Sequence, residues 1–177
     1  MPKRSVRVAI FAAFAVATLL FITQGYFSSE GPLPLGARAD RIVIEKAARR
    51  LTLYSGGRAL KSYHVALGRN PKGLKLRQGD NRTPEGIYSV DGHNPNSRYH
   101  RALHVSYPNA HDRSRAKAAG VSPGGDIMIH GIQNGLGWLG RFHRVIDWTR
   151  GCIAVTNEEI EEISRVVPDG ATVEIRP

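Results

Sequence analysis

DIMIHGIQNGLGWLGRFHRVIDWTRGCIAV, residues 126–155, begins and ends on short apolar runs, with a histidine closing the first and a cysteine opening the second. Asp126 to His130 has the unbroken apolarity of a strand buried on both faces, and such a strand delivers the polar residue at its end in a fixed position. Ile153 to Val155 reads as a second short strand. Cys152, placed where a polar loop meets that strand, can sit on an exposed turn whose backbone N–H groups point at a substrate oxygen. Gly151 before it lets the backbone approach closely, and the Arg150 guanidinium would favour a thiolate.

A thiol nucleophile needs a base. His130, 22 positions before Cys152 and followed by Gly131, would be held rigidly with its ring at the sheet edge. A thiolate beside an imidazolium should titrate well below the free thiol's value of about 8.5. Both residues also have a plainer reading, since free cysteines and strand histidines are commonly buried for packing. His143, in the polar stretch between them, could line the same site, whereas His64 and His111 look structural from their strand and helix settings. A zinc site from His130, His143 and Cys152 lacks a fourth ligand at a familiar spacing, so neither a metal nor a cofactor is expected.

Outward from this stretch the chain is mostly strand-like. Arg41–Lys46 (RIVIEK), Leu51–Tyr54 (LTLY), Ala59–Leu67 (ALKSYHVAL), Gly86–Val90, Ala102–Ser106 and Thr172–Ile175 carry strand patterning. Ser55-Gly56-Gly57-Arg58 supplies residues that tolerate positive φ and predicts a hairpin. Gly68 to Arg82 is polar and reads as a loop. His111–Ala119 is weakly helical. Asn157–Val167 is strongly so: Thr156 and Glu159 form a capping box, Ile160, Ile163 and Val167 recur on one face, and Pro168-Asp169-Gly170 stops the helix.

At the other end, Lys3, Arg4 and Arg7 precede sixteen uncharged, almost wholly apolar residues, Val8–Thr23, the composition of an export segment. The run reaches the roughly 20 residues of a spanning helix if Gln24 to Phe27 are included, and its basic flank keeps the N-terminus cytoplasmic. Ala37-Arg38-Ala39 has the look of a cleavage site but lies well beyond the apolar run. The expectation is an uncleaved single-pass inner-membrane anchor over residues 1–27, a linker rich in Gly, Pro and Ser over 28–39, and one globular domain over 40–177 in the periplasm. A cleaved, secreted form is the alternative.

The chain has one cysteine, and in an oxidising compartment an unpaired cysteine is either inert by burial or kept for its reactivity. Residues 40–177 hold 21 Lys and Arg against 14 Asp and Glu, a net charge of +7, which suits a polyanionic or carboxylate-rich partner. Nucleic acid is a poor candidate, because the basic residues are scattered and the compartment lacks it.

Ile129 to Val155, with His130-Gly131, the spacer, Thr149-Arg150-Gly151-Cys152 and the short apolar strand, resembles the signature of the L,D-transpeptidase catalytic domain, the YkuD-type fold. The opening strand pair with its glycine turn, Gly79-Asp80, Thr83-Pro84-Glu85-Gly86 and Gly124-Gly125-Asp126 extend the likeness over residues 40–177. The resemblance implies a mainly β domain, a β-sandwich with one or two short helices, and a cysteine acyl-transfer mechanism on peptidoglycan stem peptides. Cys152 would be the nucleophile and His130 the base. The Gly131 carbonyl would orient the imidazole, and the Gly151 and Cys152 N–H groups would form the oxyanion hole. A tetrapeptide donor would lose its terminal D-alanine to give a thioester, and an amine of a second stem or of a lipoprotein lysine would take the acyl group.

Many members of that family have Ser-His-Gly-Cys where this chain has Thr149-Arg150-Gly151-Cys152, so a histidine is replaced by a permanent cation. Arg150 is then a candidate ligand for a substrate carboxylate. The family also includes wall hydrolases, since water in place of an amine needs no new catalytic group. A non-enzymatic wall-binding module with Cys152 merely buried is the reading from another class.

Overall fold

The computed structural model describes residues 31–177. The expected anchor, residues 1–27, lies outside the described residues, and among those described no helix is long and apolar enough to cross a membrane. The compact unit begins at Leu33, earlier than the expected boundary at Asp40. Leu33 and Ala39 are buried, Arg165 donates to the Leu33 and Pro34 carbonyls at 3.0 and 3.2 Å, and the Ala39 N–H donates to Val166 O at 2.8 Å. A segment rich in Gly and Pro has no periodicity to betray it, yet its backbone groups still dock an extended chain.

The strands are β1 (Arg41–Glu45), β2 (Arg50–Ser55), β3 (Arg58–His64), β4 (Gly86–Ser97), β5 (His100–Val105), β6 (Met128–His130), β7 (Ile153–Ala154) and β8 (Thr172–Arg176). They pair in the order β3-β2-β1-β8-β4-β5-β6-β7. The β1–β8 and β6–β7 pairs are parallel and the others antiparallel. The β2–β3 hairpin turns on Gly56 and Gly57 at φ 54° and 80°, the double positive φ that glycine adopts without strain.

Among the described residues the eight strands form one continuous hydrogen-bonded series. β4 joins its halves: Gly86–Ser89 pair with β8, and from Val90 onward the strand pairs with β5. After β3, at one edge of the series, Ala66 bridges Ala154 in β7 at the other edge. The sheet therefore curls until its edges meet, and β2, β5, β6, β7 and β8 contribute Leu51, Leu103, Ile129, Ile153 and Val173 to a single core. Such closure leaves few strand edges unpaired.

Two α-helices and one 3-10 segment complete the domain. α1 (Ala110–Ala118) is capped by Asn109 and Asp112 in a capping box. Buried Asp112 also accepts the Tyr88 hydroxyl at 3.0 Å, a polar anchor that explains why hydrophobic periodicity there is weak. α2 (Asn157–Val166) has the expected Thr156–Glu159 box and buries Ile160, Ile163 and Val166. Gly137–Val145 forms a kinked 3-10 segment that sequence patterning did not announce. β4 also runs past Val90 to Ser97 through exposed Asn94-Pro95-Asn96, where a register shift accommodates the proline. A ribbon wetted on both faces carries no alternation to read.

Candidate active site

The cysteine turn is built by close backbone packing. Gly151 lies at φ +133°, and a Cβ there would stand 2.7 Å from Arg82 O and 3.2 Å from Ile127 Cδ1, so only glycine fits. Thr149, buried, ties the turn from within: its hydroxyl donates to Cys152 O at 2.8 Å and accepts the Gly151 N–H at 3.1 Å. The Thr149 N–H reaches Leu67 O at 3.1 Å and the Arg69 N–H reaches Thr149 O at 3.0 Å. The turn is thus strapped to the segment that closes the sheet.

The Thr83-Pro84-Glu85-Gly86 step supports that segment from the far side. Buried Thr83 accepts the Gly68 N–H on its hydroxyl at 3.0 Å, and buried Lys46 donates to Gly73 O, Thr83 O and Glu85 Oε1 at 2.7, 3.0 and 2.7 Å. In the neighbouring loop, buried Lys75 donates to Asp80 Oδ1 at 2.7 Å. Burial pushes the Asp80 carboxyl up, but the bonds from Lys75 and from the Leu76, Arg82 and Arg77 N–H groups outweigh it and hold the carboxyl below its ordinary value.

His130 ends β6 beside β7 in parallel register, Ile129 opposite Ile153 and His130 opposite Ala154, with the Val155 N–H on His130 O at 3.0 Å. Cys152 immediately precedes β7, two positions before the Ala154 that pairs with His130. The imidazole Nδ1 lies 2.7 Å from Gly131 O. A carbonyl only accepts, so Nδ1 carries the proton and Nε2 is left as the basic nitrogen. Gly131 is tightly packed as well: a Cβ would meet Asn157 Oδ1 at 2.8 Å and Tyr99 O at 3.0 Å, so a larger residue would force these neighbours to shift.

Two aromatic residues pack against His130. Tyr99 packs on the His130 ring with centroids 4.5 Å apart, and Trp148 meets it edge-on at 5.7 Å. The Trp148 indole N–H donates to His143 Nδ1 at 3.3 Å, and His143 is itself buried. His143 therefore packs behind the indole. Tyr99 reaches the site because the β4–β5 turn puts its carbonyl on the Gly131 N–H at 3.1 Å, a long-range pairing that no local pattern encodes. Trp148 immediately precedes the Thr-Arg-Gly-Cys run, and that adjacency is the one signal that could have singled it out.

The resting protonation differs from the expected ion pair. Burial pushes the Cys152 thiol above its ordinary value; Asp126 adds to this, while a Met128 backbone hydrogen bond and the Lys75 ammonium oppose it. The thiol donates to Asp126 O at 3.5 Å. Burial lowers His130 to about 4, outweighing the Gly131 carbonyl bond, and His143 is lowered to about 4 by burial, Arg144 and His130. At neutral pH the site holds a thiol and a neutral imidazole, because desolvation penalises both charged forms.

Arg150 is exposed and is not among the groups that shift the thiol, so its expected pull toward thiolate is replaced by that of Lys75. It makes no hydrogen bond or ion pair among the described residues, which leaves its guanidinium open to solvent. The Gly151 N–H is engaged by Thr149, so of the two backbone donors expected for an oxyanion, the Cys152 N–H is the one without a bond among the described residues. Among the same residues no cluster of three His, Cys, Asp or Glu side chains is placed to hold a metal ion.

The chain is similar to known proteins in sequence and fold. The L,D-transpeptidase catalytic domain family matches residues 39–175. YafK of Escherichia coli strain K12 is 35% identical over 132 residues, covering 71% of this chain and 46% of YafK. The crystal structure of the helical cell shape determining protein Pgp2 from Campylobacter jejuni is similar at 28% identity and a TM-score of 0.61, covering 79% of this chain and 48% of Pgp2. An L,D-transpeptidase from Mycobacterium smegmatis shares the fold at 14% identity and a TM-score of 0.52, with 78% of this chain and 59% of that one covered. The chain thus spans about half the length of YafK and of Pgp2.

Proposed function

Because the chain belongs to the L,D-transpeptidase catalytic domain family, we propose that it is a cysteine acyl-transferase acting on peptidoglycan stem peptides, held at the periplasmic face of the inner membrane by residues 1–27. The observation that carries the reading is the buried His130 ring with Nδ1 bonded to Gly131 O at 2.7 Å, which leaves Nε2 as the basic nitrogen at the end of the strand that pairs with the one Cys152 precedes. His130 takes the thiol proton as sulfur attacks the carbonyl carbon of the residue before a terminal D-alanine. The oxyanion that forms faces the Cys152 N–H. Collapse expels D-alanine, whose amine takes the proton from His130, and leaves a thioester. An acceptor amine then loses its proton to His130 and attacks the thioester, which frees the thiol. Arg150, with its planar pair of donors, binds a substrate carboxylate at the mouth of the site.

Mass spectrometry of the full chain with tetrapeptide muropeptides, with and without an amine acceptor, tests the reading. An acyl adduct on Cys152 and a cross-linked product support transfer. Loss of D-alanine, or cleavage of a pre-formed wall linkage, with no transfer makes the chain a hydrolase of the same fold. No adduct under any condition would leave a wall-binding module. The anchor is tested separately by fractionation: resistance to alkaline carbonate supports it, and a soluble mature form starting near Asp40 refutes it.

A further inference from the structure

Residues 138–146 of the loop between His130 and Cys152 turn most of their apolar side chains outward. Trp138 and Phe142 are 79% exposed, Val145 77% and Ile146 67%, while Leu139 is half-buried and the buried residue of the 3-10 segment is His143. Apolar side chains ordinarily turn to the core; here several large ones within one kinked segment are exposed, and such a grouping of exposed apolar side chains marks an interaction surface. Cations rim it. Arg141 and Arg150 lie on the same loop, and Arg98 joins it through the Asn134 N–H, which donates to Arg98 O at 2.9 Å. All three are exposed and make no ion pair among the described residues. The loop's one acid, Asp147, pairs with Arg49, and Glu159 just beyond pairs with Arg144.

We infer that residues 136–146 dock the domain on the surface of an anionic bilayer. Two features of the chain select lipid over another occupant. Trp and Phe among aliphatic side chains, with arginines alongside and the only acid neutralised, is the make-up of segments that lie in a membrane interface, rings at headgroup depth and guanidinium groups on phosphate. The second feature is the tether, and here the inference rests on the anchor proposed above. Five residues separate Phe27, the end of the proposed anchor, from Leu33, where the compact unit begins, and five residues even fully extended span at most about 18 Å. The domain is thereby held close to the bilayer, and weak contacts suffice.

Trp138 and Trp148 are the two tryptophans of the chain, so the difference between wild type and Trp138→Phe isolates one reporter. The full chain is reconstituted into vesicles of phosphatidylglycerol and phosphatidylcholine carrying bromine on the acyl chains. The Trp138 component should shift to the blue and lose intensity to the bromines. Phe142→Ser/Val145→Ser/Ile146→Ser, all exposed positions, should return it to solvent-like, unquenched emission while the chain still floats with the vesicles. A chain that floats with Trp138 unquenched overturns the docking and leaves the anchor intact; a chain that fails to float overturns both. Quenching that survives the triple substitution also refutes the inference. So does a Trp138 shift produced by soluble wall glycan and not by vesicles, which would assign the face to that polymer.

Discussion

A resting site of thiol and neutral imidazole should separate two reactivities that an ion pair would couple. With a free thiol near 8.5, about 3% is thiolate at pH 7, and burial of Cys152 pushes the fraction lower. Alkylation by a small neutral reagent should therefore be slow at pH 7 and climb close to tenfold per pH unit, with no plateau below the free-thiol value. His130 is already neutral above about 4, so His130→Ala should leave that profile nearly unchanged. Acylation by a tetrapeptide donor needs the proton removed in the transition state, and there the same substitution should cost roughly two to four orders of magnitude. The acid limb of wild-type acylation should fall near pH 4, where His130 takes a proton, and not near 6.5. Alkylation is read by mass spectrometry of the Cys152 peptide across pH 5–10, and acylation by the thioester adduct over the same range. An alkylation plateau at pH 6–7, or equal losses in both reactions for His130→Ala, would refute the neutral pair and restore the thiolate–imidazolium pair.

Stability should also respond to the buried histidines. A group whose folded pKa lies near 4 against 6.5 unfolded leaves the unfolded state binding the extra proton, so stability is full above pH 6.5 and falls as pH drops toward 4, by about 2–3 kcal/mol at pH 4.5 for His130 alone. Asp80 and Glu162, held below their ordinary values, lose their share only below about pH 4.5; urea unfolding with no change between pH 7 and 4.5 would contradict the burial argument. Gly151→Ala forces a side chain onto Arg82 O at φ +133°, which should cost about 2–4 kcal/mol and lower the melting temperature by roughly 5–15 °C; a midpoint within two degrees of wild type would mean the turn relaxes freely. Arg150→Lys keeps the charge but loses the paired donors, so KM for a donor peptide should rise more than small-reagent alkylation falls; equal loss in both would tie the residue to the thiol alone.

Elements whose apolar residues face the core in a regular period were legible before any coordinates. RIVIE, LTLY and TVEI became β1, β2 and β8, the Gly56-Gly57 turn closed its hairpin, and Thr156 with Glu159 started α2. Each is specified by neighbours within a few residues, where backbone sterics and burial act directly on the local chain. His130 and Cys152 stood out for a related reason: each lies where a short apolar strand meets a polar loop, a change of pattern that is local to the chain.

What the sequence could not hold is everything that depends on which distant segments meet. The curling of the sheet rests on Ala66 bridging Ala154, and the docking of Leu33 and Pro34 rests on Arg165. The aromatic enclosure of His130 draws Tyr99 from the β4–β5 turn and Trp148 from the far side of the spacer. The protonation of the site belongs to the same class: Arg150 beside Cys152 in sequence pointed to thiolate, and burial reversed that direction. Desolvation is set by the whole fold around a group, whereas sequence proximity reports only its immediate chain neighbours. The chain alone thus pointed to the residues proposed to carry the chemistry, and the tertiary structure decided the charge state in which they stand.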